Sequence, residues 1–334
     1  MKRLCLLLAF IIAGATLTIK AANLCSKISD DAEFYMITCE PGEETYQLFG
    51  HSAIRVVDKS QGLDVAFNWG VFSFDAPNFV GRFIVGETDY ELAVWSTDLF
   101  LEEYRERGSA VHQYRINLDT TEMRRLWKKL CKNYEPQNRV YRYNFIYDNC
   151  ATRVVDMIVE SYDSIDAPQF DMPSMSYRQF VTLYAHDSRW VMLGINLVFG
   201  QEADHVITTK KSTTFPLQAM KVLANAKVVR DSTVTPILSD HTYLCNEKNM
   251  DNWREKSSAG TTLMCLPPLI VLALLIFLFF YKKRYHYNKK LSEIILWLSF
   301  VASLLIIFLQ QFTIHPFVHF NYNILWCMNA QKIP

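Results

Sequence analysis

The sequence predicts an α+β domain with a strand-rich centre, followed by a two-helix transmembrane region. Three observations lead to this fold class. Several segments between positions 34 and 118 combine apolar, aromatic and β-branched residues in the manner of strands. These strands do not alternate with helices as a doubly wound α/β fold requires. Near the C-terminus, two uncharged apolar stretches are each longer than the roughly 20 residues that a membrane-spanning helix needs.

The elements of the domain follow one another from a first strand to a late helical region. The predicted strands cover residues 34–39, 47–57, 65–74, 90–96 and 111–118, with a helix at 98–107 between the last two. A helix is predicted at 122–134, because apolar side chains recur there at helical spacing behind a capping Asp119 or Thr120. Another amphipathic helix begins at position 150, and further helices are predicted at 177–184 and 216–226.

The N-terminus predicts a secretory signal peptide over residues 1–22. Two basic residues, Lys2 and Arg3, precede an apolar run over 4–17, and small alanines follow before position 23. This run is short for a spanning helix and has the order of charged, apolar and small residues that a signal peptide requires. An uncleaved anchor is the alternative. In either case we expect the domain that follows to be exported.

The C-terminal third predicts two transmembrane helices, at residues 257–281 and 294–314, joined by a basic loop at 282–293. The loop carries five Lys or Arg residues and a single acidic residue, Glu293. The positive-inside rule therefore places the loop in the cytoplasm. It follows that residues 23–256 form an extracytoplasmic domain, and that 315–334 are an extracytoplasmic tail. The predicted location is the cytoplasmic (inner) membrane, with the catalytic domain in the periplasm.

Charge and motif content narrow the function classes. The chain has 34 basic and 34 acidic residues, and this balance indicates no nucleic-acid partner. The sequence contains no His-Glu-x-x-His run and no Cys-x-x-Cys pair, so we expect neither a metal nor a cofactor. The exported domain keeps an odd number of cysteines, so at least one thiol stays unpaired. These cysteines are Cys25, Cys39, Cys131, Cys150 and Cys245.

Cys150 is the strongest candidate for a catalytic residue. It stands at the start of the predicted amphipathic helix, with Asp148 or Asn149 suited to the capping position. Free backbone N–H groups and the helix dipole favour an anion at this place, so a thiolate there has a lowered pKa and is a competent nucleophile. The alternative is an ordinary buried thiol, because the helix face that carries Cys150 is apolar.

His51 and Asn68 are the candidate partners of the thiol. His51 lies within a predicted strand between small neighbours, Gly50 and Ala53, which leave room for another group to reach the ring. A Cys at a helix start, a His on a strand and a third polar group that orients the imidazole are the papain-like arrangement. Asn68, on the next strand, is the candidate orienting group. A structural His51 and a sheet-end Asn68 are the alternatives.

Three motifs carry a resemblance to a known family. The segments FGHSAIRV at 49–56, FNWG at 67–70 and YRYNFIYDNCATR at 141–153 resemble the Lnb N-terminal periplasmic domain family, over roughly residues 27–200. The order of His before Cys is similar to the circularly permuted branch of the NlpC-type papain-like fold, which includes lecithin:retinol acyltransferase. Members of the family continue with hydrophobic segments after a motif like Asn323–Cys327, so we expect a shortened member here.

The resemblance implies a fold, an activity and partners. The implied fold is a circularly permuted papain-like domain, and the implied activity is lipoprotein N-acylation with Cys150 as acyl-carrying nucleophile, His51 as base and Asn68 as orienting group. The expected partners are a phospholipid acyl donor, a diacylated lipoprotein acceptor and the membrane that holds both. Two alternatives stay open: an NlpC-type cell-wall cysteine peptidase that uses the same Cys–His pair, and a non-catalytic membrane-anchored binding module.

Overall fold

The computed structural model describes residues 24–25, 27–166, 175–185, 188–230, 233–245 and 289–327. The predicted signal peptide, the first predicted transmembrane stretch at 257–281 and the first seven residues of the basic loop lie outside these ranges. The described chain contains both helices and strands, with a central sheet that carries helices on its two faces.

Seven strands form the main sheet, in the order β10-β5-β1-β2-β3-β4-β6, and every neighbouring pair is antiparallel. The strands are β1 (Glu33–Cys39), β2 (His51–Asp58), β3 (Leu63–Val71), β4 (Asp89–Ser96), β5 (Val111–Ile116), β6 (Val140–Arg142) and β10 (Leu238–Cys245). A second sheet joins β7 (Ile165–Asp166), β8 (Lys227–Arg230) and β9 (Thr233–Pro236). The late strands β8, β9 and β10 were not predicted from the sequence.

The helices are α1 (Phe79–Val85), α2 (Thr97–Arg107), α3 (Thr120–Tyr134), α4 (Cys150–Val159), α5 (Tyr177–Ala185), α6 (Arg189–Val198), α7 (Thr209–Ser212), α8 (Pro216–Asn225), α9 (Lys289–Phe312) and α10 (Asn323–Cys327). Predicted helices at 98–107, 122–134, 177–184 and 216–226 are confirmed. The strand predicted at 47–57 begins later, because residues Thr45–Gln47 form a 3-10 turn before the chain enters β2.

The two faces of the sheet bury different apolar clusters because successive side chains of a strand point to opposite faces. Ile54 of β2 belongs to the larger cluster, which also holds Trp69, the α3 residue Leu126 and the α4 residue Val154. Ala53, its neighbour in sequence, belongs to a smaller cluster with residues of α2 on the other face. Helix α4 packs against β2 and β3, and this contact places its first residue beside the sheet.

A disulfide joins the N-terminal segment to the body of the domain. Cys25 is bonded to Cys131 of α3, 106 positions further along the chain. Among the described cysteines, Cys39, Cys150 and Cys245 are free. Unpaired thiols in the exported domain were expected from the odd number of cysteines. The disulfide itself is typical of an oxidising compartment outside the cytoplasm.

The predicted fold class is wrong. It was an α+β circularly permuted papain-like domain followed by a two-helix transmembrane region. The structure is a mixed α/β arrangement, and within the described ranges no helix has both the length and the apolar character needed to cross a membrane. Helix α9 covers most of the second predicted span, 294–314, but Ser303 and Ile306 are buried within the protein. Other apolar side chains of α9, among them Trp297 and Leu298, are exposed, so an apolar run of this length does not by itself show what covers a helix.

The segment after α9 packs against the domain. The backbone N–H of Ile314 donates to the carbonyl of Val85 at the end of α1, at 3.0 Å. Further on, the Gly200 N–H donates to the carbonyl of Phe317, whose side chain is 3% exposed. The described part of the predicted extracytoplasmic tail at 315–334 therefore lies on the surface of the domain, and the predicted anchoring in the cytoplasmic membrane receives no support.

Candidate active site

The start of α4 fixes the position of Cys150. Asn149 is the capping residue, and its Oδ1 accepts hydrogen bonds from the backbone N–H groups of Ala151 at 2.9 Å and Thr152 at 3.0 Å. The Thr152 hydroxyl in turn accepts from the Asn149 N–H at 2.9 Å, which completes a capping box. The Asn149 amide donates to the carbonyls of Phe145 and Thr214, so the cap is tied to two other segments. The sequence Asn-Cys-Ala-Thr therefore begins the helix at the thiol.

A salt bridge reinforces this helix start. The Arg153 guanidinium makes two hydrogen bonds to the Asp148 carboxylate, at 2.6 Å and 2.7 Å. The same guanidinium lies 3.6 Å from the ring centre of Tyr141 on β6. Paired hydrogen bonds and stacking of this kind hold a planar group in one orientation. The residue before the cap, the first turn of α4 and strand β6 are therefore fixed relative to one another.

His51 is the first residue of β2 and enters the strand through Gly50. Gly50 has φ of 75°, and a Cβ at this position would lie 2.5 Å from the carbonyl oxygen of Cys39. Only glycine permits this close approach of the two strands. Cys39 and His51 are then paired in the register of β1 and β2, and the His51 side chain is partly exposed.

Asn68 is a direct partner of His51. Register pairs Ala53 with Asn68, so His51, two residues before Ala53, is a diagonal neighbour of Asn68 on the same face. The Nε2 atom of His51 lies 2.5 Å from Oδ1 of Asn68, which is 6% exposed. Because the amide oxygen can only accept, Nε2 donates, and Nδ1 is left to face the thiol.

Gly70 occupies the space between the imidazole and the thiol. A Cβ on Gly70 would lie 3.8 Å from Cε1 of His51 and 3.9 Å from Cβ of Cys150. Gly70 has φ of 94°, and the register of β3 against β4 shifts between Trp69 and Val71, which marks a β-bulge. The bulge thus places a residue without a side chain where His51 and Cys150 meet.

The electrostatics favour an ion pair at this place. Burial alone would raise the pKa of Cys150, but the charge of His51, its hydrogen bond, and backbone N–H groups of Ser52 and Ala151 lower it below the ordinary value. Burial likewise acts to lower the pKa of His51, yet the charge of Cys150 and hydrogen bonds to Cys150 and Asn68 raise it overall. The lowered thiol pKa and the raised imidazole pKa both shift the pair toward thiolate and imidazolium.

Cys39 provides an internal comparison. This thiol is fully buried, and burial, as the largest cause, raises its pKa above the ordinary value despite a hydrogen bond from Tyr104. Cys150 is similarly buried, with 8% of its surface exposed, but its pKa moves in the opposite direction. The difference comes from His51 and the backbone N–H groups around the sulfur of Cys150.

The comparison with known families points to one domain. Residues 26–182 match the family model of the Lnb N-terminal periplasmic domain. The match contains His51, Asn68 and Cys150, and it supports both the predicted relation to the Lnb family and a periplasmic location. No curated protein and no solved structure matches the chain, so the permuted papain-like likeness has no structural counterpart.

An aromatic run precedes the thiol in this Lnb-like domain (residues 26–182). Burial, and after it the charge of Cys150, raises the pKa of the Tyr141 and Tyr143 hydroxyls. The Tyr143 ring stacks on Tyr90 at 4.1 Å and meets Phe145 edge to face at 5.3 Å. The sequence analysis singled out neither tyrosine nor Gly70 as a site residue, although the aromatic run at 141–147 and the FNWG motif were visible signals.

The described part of the Lnb-like domain contains no group of three or more His, Cys, Asp or Glu side chains arranged to hold a metal ion. A thiolate at a helix start, an imidazole that can give and take a proton, and an amide that fixes the imidazole can carry out acyl transfer.

Proposed function

We propose that the protein is a lipoprotein N-acyltransferase that carries the acyl chain as a thioester on Cys150. The observation that carries this proposal is the meeting of His51, Asn68 and Cys150 from two strands and a helix start. The pKa directions of His51 and Cys150 suit a base and a nucleophile. The match to the Lnb periplasmic domain family favours lipoprotein chemistry over other uses of a Cys–His pair.

In the first half-reaction the Cys150 thiolate attacks an ester carbonyl of a phospholipid. A C–S bond forms, and the oxyanion lies near the positive end of the α4 dipole. When the intermediate collapses, the C–O bond breaks, and the departing lysophospholipid oxygen takes the proton held by His51. The products are an acyl-thioester on Cys150 and a lysophospholipid.

In the second half-reaction the α-amino group of a diacylated lipoprotein attacks the thioester. Neutral His51 accepts the proton that the amine loses, and Cys150 leaves as a thiolate. A thioester suits this step because an amine attacks it readily. The acceptor leaves with an N-acyl chain, and the Cys150–His51 ion pair is restored for the next turnover.

The surroundings of the site suit lipid substrates. Phe83 of α1 and Phe145 lie edge to face at 5.9 Å, and both are more than a third exposed. Two further aromatic side chains, Phe74 and Tyr147, expose 69% and 63% of their surfaces. Exposed aromatic side chains such as Phe145 and Tyr147, in the segment that leads into Cys150, favour acyl chains over polar peptide substrates. A membrane is the natural source of both the phospholipid donor and the lipoprotein acceptor.

The decisive experiment uses the full chain with phosphatidylethanolamine vesicles and a synthetic diacylated lipopeptide. We expect intact-mass analysis to find an acyl adduct on Cys150 without the lipopeptide and an N-acylated lipopeptide when it is added. Cys245→Ser, which removes another free thiol, is the matched control and should behave like the wild type. Cleavage of peptidoglycan peptides without acyl transfer would identify a peptidase. If neither acyl transfer nor peptide cleavage occurs, the result would indicate a non-catalytic binding module.

A further inference from the structure

Tyr141 carries a buried hydroxyl that has no partner among the described residues. The residue is 7% exposed, and its hydroxyl oxygen is buried without a hydrogen bond. Buried polar groups in native proteins are nearly always hydrogen-bonded, so each exception calls for a reason. Tyr162, in the same apolar cluster, follows the rule, because its hydroxyl donates to the carbonyl of Asn117 at 3.0 Å.

The ring of Tyr141 is held in a fixed position relative to the thiol. Strand β6 pairs Tyr141 with Tyr90 of β4, and the Arg153 guanidinium covers the ring at 3.6 Å. Arg153 is three residues after Cys150, within the first turn of α4, and is itself held by Asp148. The negative charge of Cys150 is, after burial, the largest cause that raises the pKa of Tyr141. The ring therefore lies against the first turn of the helix that Cys150 begins, and the hydroxyl stays protonated at neutral pH because its pKa is raised.

The hydrogen-bond donors around Cys150 differ in whether they already have an acceptor in the resting protein. The N–H groups of Ser52 and Ala151 and the His51 imidazole already contact the sulfur in the resting protein. The Tyr141 hydroxyl, on a ring held against the first turn of α4, is buried and has no acceptor among the described residues. A hydrogen-bond donor that has no acceptor in the resting protein can bind an acceptor that forms only during the reaction. Such a contact accelerates the reaction because it is made in the transition state and not before.

We propose that Tyr141 is a further catalytic residue, whose hydroxyl donates a hydrogen bond to the oxyanion formed when Cys150 attacks the acyl donor. This inference rests on the proposed acyl transfer. As the C–S bond forms, the carbonyl π electrons move to oxygen, and the Tyr141 O–H stabilises the charge without giving up its proton. As the intermediate collapses, the electron pair returns, the C–O bond breaks and the leaving oxygen takes the proton of His51.

Tyr141→Phe tests the inference, because it removes only the hydroxyl and keeps the ring under Arg153. We would measure single-turnover acylation of Cys150 by a short-chain p-nitrophenyl ester and by phosphatidylethanolamine vesicles. Loss of one oxyanion donor predicts acylation slower by about 10²–10³-fold. Alkylation of Cys150 by iodoacetamide should keep its rate and pH profile, because displacement at a CH₂ group forms no oxyanion. The melting temperature should stay equal or rise, because the lost hydroxyl had no partner.

Tyr162→Phe is the matched control, since it removes a hydroxyl that has a structural partner. It should lower the melting temperature and leave acylation of Cys150 unchanged. Wild-type acylation in Tyr141→Phe would overturn the inference. So would an equal loss of acylation and alkylation, which would make Tyr141 a residue that positions the thiolate. If the p-nitrophenyl ester acylates the wild type but phospholipid does not, the proposed function is wrong and the inference about Tyr141 still stands. If neither acylates it, the proposed function and the inference are both wrong.

Discussion

The imidazole of His51 is held by Asn68 through a 2.5 Å contact between Nε2 and Oδ1. This contact fixes which ring nitrogen carries a hydrogen, because the amide oxygen accepts only. The other nitrogen, Nδ1, is then directed to Cys150, with which His51 shares a hydrogen bond. The tautomer and the orientation of the base are therefore set by β3, whereas the nucleophile is set by the cap of α4. Separate elements control the two halves of the pair, and substitutions can separate their effects.

His51→Gln should raise the pKa of Cys150 and slow its alkylation near neutral pH. His51 lowers the thiol pKa in the wild type, so the thiolate persists there below the ordinary thiol value of about 8.5 and is lost only as pH falls through the lowered pKa. Without the imidazole, burial dominates and the thiolate forms only at higher pH. We would measure alkylation of the Cys150 peptide against pH by mass spectrometry. Identical slow labelling of both proteins would contradict the Cys–His pair.

Asn68→Asp should extend the imidazolium form of His51 to higher pH. A carboxylate in place of the amide adds a negative charge beside the ring and raises the His51 pKa further. The imidazolium is present below its pKa and is lost as pH rises through it, so this loss should occur at higher pH than in the wild type. NMR titration of the His51 ring reports the change directly. An unchanged titration would show that Asn68 does not contact the imidazole in solution.

Cys131→Ser should destabilise the domain without changing the reactivity of Cys150. The Cys25–Cys131 bond closes a loop of 106 positions, and removal of a native disulfide of this kind costs about 2–5 kcal/mol. Denaturant unfolding measures the stability, and the alkylation rate under native conditions measures the site. Because serine at 131 also frees Cys25, the double variant Cys25→Ser/Cys131→Ser is the control and should show the same loss. Equal stability of variant and wild type would show that the bond is absent in solution.

The sequence predicted the parts of the site that depend on local chemistry. A cysteine after Asn149 indicates a helix start because capping is a matter of neighbouring residues, and the structure places the cap there. Strands β1 to β5 were likewise visible in local patterns. His51 and Asn68 were named as candidates, and the structure places Asn68 against His51 and His51 against Cys150. Their catalytic roles stay a prediction until activity is measured.

The parts that the sequence did not predict depend on contacts between distant segments. Tyr141 lies against the start of α4 because β6 pairs with β4 and Arg153 covers its ring, and no periodic pattern in the sequence predicts either contact. Strand β10 pairs with β5, which lies more than 120 positions earlier in the chain, so no local sequence pattern predicts this pairing. Helix α9 was expected to span a membrane, because apolar length alone does not show what covers a helix.

Gly70→Val should hinder access to Cys150 more than it affects any other part of the fold. A Cβ at position 70 would lie 3.8 Å from Cε1 of His51 and 3.9 Å from Cβ of Cys150, so the methyl groups of valine would press against both residues and cover the thiol from this side. The positive φ of 94° adds backbone strain, roughly 1–3 kcal/mol for such a residue. We therefore expect both lower stability, measured by denaturant unfolding, and slower alkylation of Cys150.

Gly62→Val separates these two effects. Gly62 also has a positive φ, 62°, but a Cβ there would meet no atom within 4 Å. It should lose stability through strain like Gly70→Val, because both positions force a β-branched residue into the left-handed region. Its Cys150 should alkylate at the wild-type rate, since the substitution lies at the far end of β3 from the bulge. If both variants label Cys150 equally fast, the space beside Gly70 does not control access to the thiol.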